Sequence, residues 1–136
     1  MAIPINIEEL LHQQVIESAR IEYKADWNPE PILHSITAFA NDFDNLGGGY
    51  IVIGVEEQNG YPRFPVKGLD KSTLDDIQKD LLNKCNFIEP RYIPVIEPAL
   101  IDGRDILVLW VPGGDDRPYK CPVKIYTEKG AKKSEK

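Results

Sequence analysis

Cysteine is scarce. Cys85 and Cys121 are the only two, which excludes a disulfide scaffold, and neither has metal-ligand neighbours in the sequence. That usage fits a reducing, cytoplasmic setting. No apolar run exceeds strand length, so neither a transmembrane helix nor a membrane partner is expected. Met1 to Glu9 lacks a basic stretch followed by an apolar one, so no signal peptide is expected. His12 and His34 stand alone on helical stretches without Cys or Asp at ligand spacing. Ser18, Ser35 and Ser72 lack any nucleophile-elbow or triad context, and no Gly-Lys-Ser or Gly-Lys-Thr marks a nucleotide loop. Positive charge is also short: 16 Lys+Arg face 22 Asp+Glu, a net charge of −6.

What is present suits one folded domain. The chain has 136 residues and is 42% hydrophobic, enough for a core without a metal staple and too much for wholesale disorder. The deficit of positive charge is uneven. From Arg117 to Lys136 there are seven basic and two acidic residues, a net +5, which leaves −11 on the rest. An acidic body repels phosphate backbones, while a basic end attracts them. The same end also reads as a solvated tail.

Apolar spacing orders the elements. Ile7 to Ser18 has one helical face, and Arg20 to Ala25 reads as a short strand. Pro29 and Pro31 suit the first turn of a second helix. Its apolar stripe is Ile32, Leu33, Ile36, Phe39, Ala40 and Phe43, with Gly47-Gly48-Gly49 as its stop. Tyr50 to Val55 is a strand buried on both faces, and Asn59-Gly60 is a turn. Ser72-Thr73-Leu74-Asp75 resembles a capping box opening a helix with Leu74, Ile77, Leu81 and Leu82 on one face. Tyr92 to Ile101 and Asp105 to Val111 form a hairpin around Asp102-Gly103, the second strand being central. A last strand is expected at Val123 to Thr127. The predicted fold class is mixed α/β (α+β): a central mixed β-sheet with a C-terminal β-hairpin, flanked by about three helices.

Three groups of residues could carry chemistry. Glu17 and Glu22 flank a helix-to-strand junction, and Glu22 shares a strand face with Lys24. With Glu56 or Glu57 as a third carboxylate they could hold Mg²⁺ or Mn²⁺, which polarises a phosphate and activates water. On spacing alone, surface ion pairs of Glu22 with Lys24 or Arg20 are the commoner outcome. The Gly47-Gly48-Gly49 run could approach a phosphate, but no helix N-terminus follows it, and a tight turn delivering a buried strand is the simpler reading. Asn41 would hydrogen-bond that glycine loop. Third, Arg117, Lys120, Lys124, Lys129, Lys132 and Lys133, with Tyr119 and Tyr126, interleave cations and rings that could pair phosphates and stack bases.

Glu17-x4-Glu22-Tyr23-Lys24, then Ala38-Phe39-Ala40-Asn41, then Gly48-Gly49-Tyr50-Ile51-Val52-Ile53-Gly54-Val55 resembles the Schlafen AlbA-type domain. Gly68-Leu69 and Arg117-Pro118-Tyr119 fit the same family. The link from Asp42 to Gly47 is longer than the family's usual one. The resemblance implies a Schlafen AlbA-like fold over 1–136, as a piece of a longer protein, with 128–136 a flexible basic end. It implies a DNA-binding module of a bacterial transcriptional regulator, contacting nucleic acid through Lys24 and the basic end, without a cofactor. Animal relatives that cleave tRNA imply an alternative: a metal-dependent endoribonuclease with Glu17, Glu22 and Glu56 or Glu57 holding Mg²⁺ or Mn²⁺ and Lys24 steadying the phosphate. Two lobes side by side would give a homodimer with a composite groove.

Overall fold

The computed structural model describes Ile7, Leu11, residues 20–43 and residues 47–124. Strand β1 (Ile21–Lys24) alternates as its sequence dictates, with Ile21 and Tyr23 buried and Glu22 and Lys24 half-buried on the other face. Helix α1 (Pro29–Asn41) carries Pro29 in its first turn, where a missing N–H costs nothing. Ile32, Leu33, Ile36, Phe39 and Ala40 form its buried stripe. The helix ends before the glycine run. Asp42 turns left-handed at φ 44° and its N–H closes on the Ala38 carbonyl, 3.2 Å away. Phe43 thus leaves the helical face and is 81% exposed, outside the core expected of it. The Asp42 carboxylate accepts the Gly47 N–H at 2.9 Å and closes the loop that the glycines continue.

Strand β2 (Gly49–Ile53) lies parallel to β1, with Ile21 opposite Tyr50 and Lys24 opposite Ile53. With α1 between them the two strands make a β-α-β unit. Strand β6 (Arg104–Val111) pairs antiparallel with β2, and β5 (Val95–Ile101) with β6, in the order β1-β2-β6-β5. This is the expected mixed sheet. Ile51, Ile53, Leu107, Leu109 and Val111 pack with the helices. Val52, Ile106 and Val108 belong to a second cluster with Ile21, Tyr23, Val55, Val66, Ile101, Ile7 and Leu11. Two buried faces explain why the central strands are apolar without alternation.

Both turn dipeptides behave as their composition dictates. Asp102 (φ 52°) and Gly103 (φ 78°) join β5 to β6. Asn59 (φ 55°) and Gly60 (φ 87°) join β3 (Glu57–Gln58) to β4 (Tyr61–Pro62). Helix α2 (Leu74–Lys84) follows a 3-10 turn, Lys71–Thr73. Asp70 caps the 3-10 turn, and the Ser72 box expected to open the helix is not formed. The Asp70 carboxylate accepts the Ser72 N–H at 3.1 Å and the Ser72 hydroxyl at 2.9 Å, which together hold it below the ordinary carboxylate range. Ile77 and Leu81 are buried; Leu82, expected beside them, is 42% exposed. Asp80 ties this helix to Trp27, accepting the indole N–H at 2.8 Å while pairing with buried Lys84 at 2.6 Å.

The helix expected over 7–18 lies outside the described residues except for Ile7 and Leu11, which are helical and buried. Val123 and Lys124 are not in a strand, and 125–127 fall outside the described residues. Among the described residues no helix is long and apolar enough to cross a membrane.

The glycine loop is a packing device. A Cβ on Gly48 would stand 1.9 Å from the Val111 carbonyl oxygen, and one on Gly49 would stand 2.4 Å from the Phe39 ring. Glycine lets β2 enter the sheet directly beneath α1 and beside the end of β6. Gly49→Ala is expected to lose about 1–3 kcal/mol in urea unfolding through overpacking against Phe39; an unchanged midpoint would contradict this close approach.

Candidate nucleic-acid interface

The chain returns after β6 to lie along α1, and Asn41 decides where. Its side-chain amide donates to the Tyr119 carbonyl at 3.0 Å and its side-chain oxygen accepts the Tyr119 N–H at 2.6 Å. The side chain thus pairs with a backbone as a neighbouring strand would. Asn41 is buried, so both bonds replace water that neither group can reach. The expected bond from Asn41 to the glycine loop is not made; Asp42 serves that loop instead. Gly114 donates its N–H to the Ala40 carbonyl at 2.8 Å, and Arg117 donates to the Asn41 carbonyl at 3.3 Å.

Tyr119 is therefore a core residue. It is 6% exposed, edge-on to Tyr92 with ring centroids 5.3 Å apart, and its hydroxyl accepts the Asp116 N–H at 3.1 Å. A ring so enclosed has no face for a stacked base, so the stacking expected of Tyr119 is corrected to a packing role. Tyr92 donates its hydroxyl to the Pro112 carbonyl at 2.5 Å.

Residues 119–122 are fastened on both sides. Lys120 and Glu89 exchange backbone hydrogen bonds of 2.8 and 2.9 Å. His34 and the Pro122 carbonyl are 2.8 Å apart. The backbone of this strap is spent on α1 and on the 88–90 segment, while Arg117, Lys120 and Lys124 remain exposed along it. Lys129, Lys132, Lys133 and Tyr126 lie outside the described residues. The strap carries one free thiol, Cys121. Burial raises the Cys121 pKa, against an opposing hydrogen bond with Thr37, and burial pushes Cys85 beneath it up to about 12.

The acidic residues have other partners. Glu22 accepts the Ser35 hydroxyl at 2.6 Å and stands 3.7 Å from the Lys24 ammonium, so the predicted shared face is real. Glu56 pairs with Arg63 at 3.9 Å across the β3–β4 hairpin, and Glu57 accepts the Gly60 N–H at 2.7 Å within its turn. Glu17 lies outside the described residues. Among the described residues no three His, Cys, Asp or Glu side chains gather as a metal site. The role of Asn41 escaped sequence reasoning because its partner is 78 residues away. The only sequence signal was an amide at the end of an apolar helix.

Asn41→Ala would strand a buried N–H and C=O of Tyr119. A loss of about 2 kcal/mol is expected in chemical denaturation, with faster amide exchange in 117–122. Stability within error of wild type would show that the pairing contributes nothing.

Comparison with known proteins agrees with the topology. The Schlafen AlbA_2 family model matches residues 17–136. The N-terminal domain of a RecG-related protein from Nitrosomonas europaea, provisionally named an ATP-dependent DNA helicase, superposes with a TM-score of 0.64 at 26% identity. The match covers 93% of this chain and 86% of that domain. The DIP2311 protein from Corynebacterium diphtheriae gives a TM-score of 0.49 at 17% identity, over 76% of this chain and 19% of its own. No curated protein matches the chain. With its family pattern running from the Glu22-Tyr23-Lys24 strand through the helix end at Asn41 to the strap it fastens, the chain belongs to the Schlafen AlbA_2 family.

Proposed function

We propose that this domain binds nucleic acid, with the strap as its contact surface. The observation that carries the reading is the fastening of residues 119–122. Arg117, Lys120 and Lys124 are exposed on this segment or within two residues of it. Cations held at a set spacing reach successive phosphates without the ordering cost of a free tail. The acidic body supports the same orientation: net −11 elsewhere repels a polyanion, so approach through the basic end is favoured. Phosphate contacts position a protein and carry no sequence information directly.

The RecG-related neighbour, provisionally named a DNA helicase, supports nucleic acid as the ligand class. The family resemblance supports the narrower reading of a DNA-contacting module in a bacterial regulator. Lys24 joins the interface in this reading, with Glu22 and Ser35 fixing its strand face. The endoribonuclease alternative retains the Glu22–Lys24 pair, and it needs Glu17 to complete a metal site because the hairpin holds Glu56 and Glu57.

Fluorescence anisotropy with labelled DNA and RNA at two salt concentrations tests the proposal. Binding is expected at low salt and to weaken as salt rises. Lys120→Ala with Lys124→Ala should make the log K against log salt slope shallower by about 0.9 per lost duplex contact, or about 0.7 on a single strand. Binding and slope unchanged in the double variant would remove the strap as the interface. Mg²⁺- or Mn²⁺-dependent cleavage of the RNA, lost in Glu22→Gln, would instead establish the nuclease.

A further inference from the structure

A cavity of about 530 Å³ opens beside the strap, lined by Glu89, Pro90, Pro118, Tyr119 and Lys120. Its two sides are joined by the reciprocal backbone hydrogen bonds of Glu89 and Lys120, at 2.9 and 2.8 Å. They are braced behind by Asn41 on Tyr119 and by the Tyr92–Tyr119 ring contact. The cavity is therefore formed before any ligand arrives, as a depression open to solvent on one side.

Its chemistry is divided. Pro90 and Pro118 present pyrrolidine rings, which offer apolar C–H surface and no side-chain donor or acceptor. Tyr119 adds the little of its ring that remains accessible. Glu89 and Lys120 are both exposed residues, and they supply one carboxylate acceptor and one ammonium donor. A ligand that matches has flat apolar faces and an edge bearing both donors and acceptors. An unstacked nucleobase has that description, and its phosphate would lie toward the strap cations Arg117 and Lys120. A base inside a duplex keeps its faces stacked and cannot enter, so the site selects single strands.

We propose that this cavity is a nucleobase pocket for single-stranded nucleic acid, with Pro90 and Pro118 walling the base and Glu89 accepting from its exocyclic amino group. The proposal rests on the nucleic-acid reading above and deepens it from backbone contact to base contact. Glu89 then sets a preference. Cytosine carries an N4 amino donor that a carboxylate can accept, whereas thymine has a carbonyl at the equivalent position. Lys120 serves twice, donating to the base edge or to the adjoining phosphate.

The test is anisotropy with single strands of equal length: oligo-dC, oligo-dT and a strand of abasic sugar-phosphate, each against wild type and Glu89→Gln. Oligo-dC is expected to bind about tenfold tighter than the abasic strand, in the range of one well-packed base, and several-fold tighter than oligo-dT. Glu89→Gln should narrow the dC-to-dT ratio while tightening all three strands together, the abasic one included, because a carboxylate that repels the phosphates is removed. Equal affinity for oligo-dC and the abasic strand would overturn the pocket while leaving the phosphate-binding strap intact. Equal affinity for oligo-dC and oligo-dT would overturn the role given to Glu89. No binding to any strand at low salt would overturn both the pocket and the function on which it rests.

Discussion

The pairing of one asparagine side chain with one peptide backbone organises the functional half of this domain. Asn41 stands at the end of α1 and presents a donor and an acceptor to Tyr119 in a place closed to water. Once Tyr119 is fixed, its ring meets Tyr92, its hydroxyl holds Asp116, and the next residue pairs with Glu89. The strap follows in register. Gly114 is part of the same fitting, because a Cβ there would lie 2.2 Å from the Tyr119 hydroxyl. Satisfying buried polar groups and closing the core over α1 are thus one event, and the exposed cations are its by-product.

The rest of the fold supplies a rigid base for that event. Parallel β1 and β2 set the direction of α1, and the close approach of Gly49 to Phe39 sets its height above the sheet. The buried stripe of α1 packs in one apolar cluster with β2 and β6, so α1 cannot shift without opening that core. A helix so placed carries Asn41 to one position, where the chain leaving β6 can meet it.

Much of this was legible in the sequence, and the boundary is physical. Strands β2 and β6, both tight turns and the shared face of Glu22 and Lys24 follow from local composition and period, and they appear where they were expected. The failures involve distant partners. Phe43 fits the helical period but follows a left-handed Asp42, and period alone does not tell where a helix stops. Ser72 has the form of a cap, yet its own N–H and hydroxyl are both donated to Asp70, which caps the 3-10 turn before the helix. Tyr119 looks like an exposed ring among lysines and is a core residue because of Asn41. Glu56 and Glu57 look like spare carboxylates, but the hairpin uses both. The cavity had no sequence signal at all, since Pro90 and Pro118 come to line one cavity beside the Glu89–Lys120 pairing, which joins segments distant in sequence.

The proposed contact with nucleic acid needs cations held at set positions. The strap offers Arg117, Lys120 and Lys124 on or beside a backbone that is hydrogen-bonded in the free protein at Tyr119 and Lys120. Native-state hydrogen exchange of the Tyr119 and Lys120 amides, without nucleic acid, tests that claim most directly. The account predicts slow exchange, comparable with amides of β6, because both N–H groups are already bonded to Asn41 and Glu89. Exchange at the rate of an open loop, slowing only when an oligonucleotide is added, would contradict it.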